Sequence, residues 1–109
     1  MKLNTLFDED EISSIKSALD LTLGEDPILP HWEFHTLTGV SVAEGLSVLE
    51  QWPNIDVDSD PEWFLLYGIL GRYSGYPHKQ EDRIRRETGL QKVDLRAFME
   101  RLKPFEPQQ

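Results

Sequence analysis

Ile12, Ile15 and Leu19 recur at the three- and four-residue spacing of an amphipathic helix. The residues before them mark its start. Asp8 followed three positions later by Glu11 forms a capping box, and Phe7 and Ile12 hold the two hydrophobic-staple positions. Gly24 can end the helix. The acids Asp8 to Glu11 fall in its first turn, where they complement the helix dipole. Pro27 and Pro30 make residues 25–30 a connector, and a short helix is predicted from about His31 to Leu37, closed by Gly39. Ser41 with Glu44 is a second capping box. It opens a helix running to about Trp52, where Pro53 stops it. Leu46 and Leu49 are predicted to face inward, with Val42 one turn before Leu46.

Asp60 and Pro61 form an N-cap and first helical position. The helix they open, about Pro61 to Ser74, is apolar nearly all round: Trp63, Phe64, Leu65, Leu66, Tyr67, Ile69 and Leu70. A helix without a polar face belongs at the buried centre of a bundle. Gly68 and Gly71 cost it about 1 kcal/mol each relative to Ala, and close approach of a neighbouring helix offsets that cost. Gly75-Tyr76-Pro77 is a turn. A charged helix from about Lys79 to Thr88 follows, with Gly89 as its C-cap. Asp94 is predicted to cap the last helix, whose apolar positions are Leu95, Phe98, Met99 and Leu102, and Pro104 and Pro107 end it. No segment alternates in the manner of a strand. The pattern predicts one all-α domain over 1–109, a bundle of five or six helices around a buried apolar central helix. Residues 1–6 and 104–109 are expected to fray.

Composition supports one folded domain. A chain of 109 residues can form a single core, and 39% apolar with 10% aromatic residues separates it from disordered acidic chains. Cysteine is absent, which excludes disulfides and thiolate metal sites and fits a reducing compartment. The first residues lack the apolar core of a signal peptide. The longest apolar run, Trp63 to Leu70, is too short to span a bilayer. The expectation is a cytoplasmic protein.

Charge changes the picture most. Residues 1–60 carry 13 Asp and Glu against 2 Lys, whereas residues 61–109 carry 7 acids against 9 basic residues. Nearly all of the net charge of −9 therefore belongs to the first part of the chain. Concentrated like charge repels itself and costs stability. Two explanations are open: solubility, or capture of a basic protein partner. The same charge argues against direct binding to nucleic acid or to an anionic membrane.

The acids cluster most densely in Asp56, Asp58 and Asp60, with Glu62 on the following turn. A calcium loop of the EF-hand type needs Gly at its sixth position and Glu at its twelfth. Pro61 and Tyr67 stand there, so no calcium site is expected. These four residues are instead the leading partner-binding candidates, followed by Glu25 and Asp26, with Tyr76 as an aromatic anchor. His31 and His35 have the i,i+4 spacing of a shared metal. Glu33 falls on the opposite face, however, and no third ligand has a matching spacing, so no metal or cofactor is expected. Arg83, Arg85 and Arg86, with Lys79, are interspersed with Glu81, Asp82 and Glu87. This is the pattern of a salt-bridged exposed helix, in which Asp82 and Arg86 form an i,i+4 pair. No nucleophile, phosphate loop or singular carboxylate pair suggests an enzyme.

The run from His31 to Gly39 followed by Ser41-Val42-Ala43-Glu44, together with Leu70-Gly71 and Gly75-Tyr76-Pro77-His78, resembles small bacterial immunity proteins. These accompany polymorphic and contact-dependent growth inhibition toxins. The resemblance spans about residues 31–102. It implies a cytoplasmic protein that neutralises a cognate toxin domain, often a cationic nuclease, in a one-to-one complex. In size and charge the chain is also similar to the DNase-colicin immunity proteins, but their Tyr-Tyr recognition motif has no counterpart here. The alternative function is a nucleic-acid mimic or a regulatory protein-interaction adaptor.

Overall fold

A computed structural model describes residues 1–24, 38–75 and 81–107. Among them the chain forms six α-helices and a terminal 3-10 turn: α1 (Leu3–Leu6), α2 (Glu9–Leu23), α3 (Val42–Glu50), α4 (Glu62–Gly75), α5 (Glu81–Thr88), α6 (Lys92–Leu102) and Lys103–Phe105. The all-α architecture predicted from periodicity is present. The predicted connector 25–30, the helix over 31–37 and the turn residues Tyr76 and Pro77 lie outside the described residues.

Helix α4 is the centre. None of its residues from Glu62 to Ser74 is exposed, and Leu65, Leu66, Ile69, Leu70 and Tyr73 are buried. Its longest contact is with α6. There the Trp63 indole donates to the Leu102 carbonyl at 2.7 Å, so the most amphipathic ring of the helix is buried without an unmet donor. The Trp63 ring also stacks on Tyr67, centroid to centroid 4.5 Å. Helical bonding begins where Trp63 N–H reaches the Ser59 carbonyl at 2.8 Å and Leu65 N–H the Pro61 carbonyl at 2.9 Å. The helix thus starts within one residue of the predicted Pro61.

The two α4 glycines are used differently. A Cβ on Gly68 would lie 2.9 Å from Thr38 Cγ2 and 3.3 Å from the Thr38 backbone, whereas one on Gly71 would meet only the Met99 methyl at 3.3 Å. The first neighbour includes main chain and the second is the end of a flexible side chain. Gly68→Ala is therefore expected to destabilise the fold by about 1–3 kcal/mol through overpacking, despite its better helix propensity. Gly71→Ala should be neutral or stabilising by up to about 1 kcal/mol. Urea unfolding of the pair checks this. Equal losses for both would contradict the close approach at Thr38.

Helix α2 carries the predicted capping box: Glu11 N–H donates to Asp8 Oδ1 at 2.8 Å and Asp8 N–H to Glu11 Oε1 at 2.9 Å. Ile12, Ile15, Ala18, Leu19 and Leu23 are buried. Tyr73 from α4 pins α2 through its hydroxyl, which bonds the Thr22 hydroxyl and donates to the Ala18 carbonyl at 3.2 Å. Burial pushes the Tyr73 hydroxyl pKa up to about 12, so it remains a neutral donor across the physiological range.

Several expectations are corrected. Residues 1–6 are not a loose end: Leu3 is fully buried, and Leu3 N–H bonds the Ile55 carbonyl at 3.1 Å. At the other end, residues 103–105 form the 3-10 turn, with Phe105 packed against the core. Leu46 does not face inward; it is 45% exposed, because α3 settles on Leu23 and Leu65 through Gly45 and Val48. Asp94 is not the N-cap of α6. Gln91 holds that position, and the Asp94 carboxylate accepts its N–H at 2.9 Å. Asp82 pairs with Arg85 at 2.8 Å, not with Arg86, and Arg83 pairs with Glu87 at 3.2 Å. Both pairs follow helical i,i+3 and i,i+4 spacing. Gly89 ends α5 at φ 75°, the left-handed conformation favoured at a helix C-terminus.

No helix among the described residues is long and apolar enough to cross a membrane.

Candidate partner-binding surface

The acidic loop after α3 is built on alternation. Ile55 and Val57 point into the core and are buried, while Asp56 and Asp58 point out. An isolated antiparallel bridge joins Asp56 to Lys2, and Val57 N–H bonds the Met1 carbonyl at 2.9 Å. This pairing brings the Lys2 ammonium to 3.4 Å from Asp56 and the Met1 amino group to 3.2 Å from Asp58. Part of the loop's charge therefore faces cations of its own chain. Both aspartates remain 45% exposed, and in that setting such pairs contribute little to stability.

The other two members of the predicted cluster differ. Asp60 is exposed and makes no ion pair among the described residues. Glu62 is partly buried, and its Oε2 is shielded from water without a hydrogen-bond partner. Only Asp56, Asp58 and Asp60 thus stand as an outward acidic set, with Glu62 set back at the start of α4. Glu25, Asp26 and Tyr76 lie outside the described residues, as do His31, His35 and His78. Among the described residues no three His, Asp or Glu side chains are arranged to hold a metal ion.

A second acidic region surrounds the start of α2. Asp8, Glu9 and Asp10 are exposed there. Glu11 is committed internally: its Oε2 accepts from Arg101 of α6 at 2.8 Å while Oε1 completes the capping box. The Arg101 guanidinium lies over the Phe7 and Phe98 rings at 5.3 and 5.4 Å, and those rings meet edge to face at 5.2 Å. The hydrogen bond from Arg101, followed by that from Asp8, holds the Glu11 carboxyl below its ordinary value of 4.5. Beside this node a concavity of about 200 Å³ is lined by Asp10, Glu11, Ser14, Leu90, Asp94 and Phe98. Glu11 and Asp94 spend their charge on Arg101 and on the α6 cap, which leaves Asp10 as its exposed carboxylate.

The Glu11–Arg101 pair joins the first long helix to the last, and i,i+4 reasoning within a helix could not find it. The one sequence signal was the capping box, which fixes where Glu11 points. The pair has a defined pH signature. Because the folded pKa of Glu11 is lowered, its contribution is complete above pH 4.5 and is lost as pH falls through the folded value. Glu11→Gln keeps a carbonyl for the Asp8 N–H and removes the charge that faces Arg101. It should cost about 1 kcal/mol at neutral pH, and the gap from the native chain should close on acidification below 4.5. Denaturation at a series of pH values measures this; a gap that did not change with pH would contradict it.

Compared with protein-family models, with curated proteins and with solved structures, the chain matches none.

Proposed function

We propose that this chain is an immunity-type protein that binds a basic protein, most concretely a cationic nuclease toxin domain, and neutralises it in the cytoplasm. The observation that carries the reading is the distribution of charge. Between Lys16 and Arg72 the sequence contains no Lys or Arg, while Asp20, Glu44, Glu50, Asp58 and Asp60 from that stretch are exposed. A compact protein bears the self-repulsion of such a surface at some cost to stability. A cationic partner would relieve it. Neutralisation follows from steric cover and from carboxylates standing where the partner otherwise meets the phosphate backbone. Long-range attraction would speed the encounter.

The test is isolation of the partner from source cells on the tagged full-length chain, with identification of what is retained and of the product of the adjacent gene. One basic domain held in a one-to-one complex, whose toxicity the chain suppresses, is the expected result. Retention of several unrelated DNA-binding proteins would point instead to a nucleic-acid mimic. An acidic partner would contradict the reading.

A further inference from the structure

Helix α3 leaves one large apolar side chain, Leu46, outside the core. Its inward face is formed by Gly45 and Val48, and Gly45 lets the helix settle so closely that a Cβ there would lie 3.1 Å from Leu23 and 3.6 Å from Leu65. That close seating rolls Leu46 outward to 45% exposure. Val42 and Leu49, one turn to either side of Leu46, are only half-buried. Both pack partly against the core, which leaves Leu46 as the exposed large apolar side chain of α3. Glu50 follows Leu46 by one turn and is exposed, while Ala43 and Ser47 are small and exposed.

The other exposed large apolar residues among the described ones are in different surroundings. Val93 stands on α6 beside Lys92, with Arg96 one turn on, and Met1 is at the chain end. Among the described residues, Leu46 is the exposed large apolar side chain within the stretch from Ser17 to Gly71, which has neither Lys nor Arg. An apolar anchor within an acidic field favours a partner with the complementary arrangement, an apolar socket or side-chain row bordered by Lys and Arg. The apolar contact would supply the central anchor and the charges would steer and orient the approach.

We infer that the outward face of α3, with Leu46 as its anchor, is the surface on which the basic protein partner docks, through a cationic segment that carries apolar side chains. This deepens the proposed function and rests on it. The acidic loop at Asp56–Asp60, which follows α3 after residues 51–55, then has the supporting role of adding steering charge.

The experiment is an NMR titration of the isotope-labelled full-length chain at low salt. The probes are an amphipathic Leu/Lys helical peptide and an oligolysine of equal charge. The Leu/Lys peptide should perturb the amides of residues 42–51 and bind about tenfold more tightly than oligolysine. Leu46→Ser should reduce its affinity to that of oligolysine. Glu50→Lys should weaken both peptides, and Val93→Ser should change neither. Perturbations centred elsewhere, or an unchanged affinity in Leu46→Ser, would overturn the docking surface and leave the basic-partner reading intact. Failure of both peptides to bind the native chain would overturn that reading as well. Self-association that disappears in Leu46→Ser would show that a second copy covers this face, and would also overturn the inference.

Discussion

Leu66→Ala is expected to lower the unfolding free energy by about 2–5 kcal/mol, the range for emptying a well-packed leucine site. Leu66 is 1% exposed and belongs to the helix at the centre of the core. Its neighbours on that helix, Leu65, Ile69 and Leu70, are equally enclosed, so little room exists for the site to collapse. Small domains have modest total stability, and a loss of this size is a large fraction of it. Denaturant unfolding monitored by far-ultraviolet circular dichroism reads the effect. The parallel variant Leu46→Ala should lose far less, because that leucine is 45% exposed. Similar losses at the two positions would contradict the assignment of inward and outward faces.

The second large effect is on association. Neutralising the outward acidic set in one variant, Asp56→Asn, Asp58→Asn and Asp60→Asn, should slow binding to the basic partner by about tenfold or more at low salt. The difference from the native chain should shrink as salt rises and shortens the screening length. Stability should fall by less than about 1 kcal/mol, since the pairs made by Asp56 and Asp58 are exposed. The structure adds a refinement. Asp56 and Asp58 face Lys2 and the Met1 amino group, whereas Asp60 makes no ion pair among the described residues. Asp60→Asn alone should therefore give the largest single effect of the three. Binding by the triple variant at the native rate and affinity would remove this loop from the interface.

Much of the fold was legible because its signals are local. The Asp8–Glu11 and Ser41–Glu44 boxes are written in four residues each, and both form as predicted. The all-round apolar character of Trp63 to Leu70 identified the central helix without knowledge of its neighbours. The misreadings have nonlocal causes. Leu46 fits the inward pattern of its own helix, but the position of that helix is set by Gly45 against Leu23 and Leu65. Residues 1–6 lack a strong local signal and are ordered by partners more than 50 positions away, Ile55 and Val57. Gln91 displaces Asp94 as the cap of α6 because Asp94 is better used three residues in, accepting the Gln91 N–H. The acidic loop was visible as composition. Its alternation of inward Ile55 and Val57 with outward Asp56 and Asp58, and its internal cations, depend on the chain start folding back over it.

The most direct measurement of the central claim is the association rate of the full-length chain with the isolated partner across a salt series, by stopped flow. Electrostatic capture predicts a rate constant that falls steeply with ionic strength while dissociation changes little. A rate constant independent of salt would contradict capture of a basic partner and leave solubility as the use of the acidic surface.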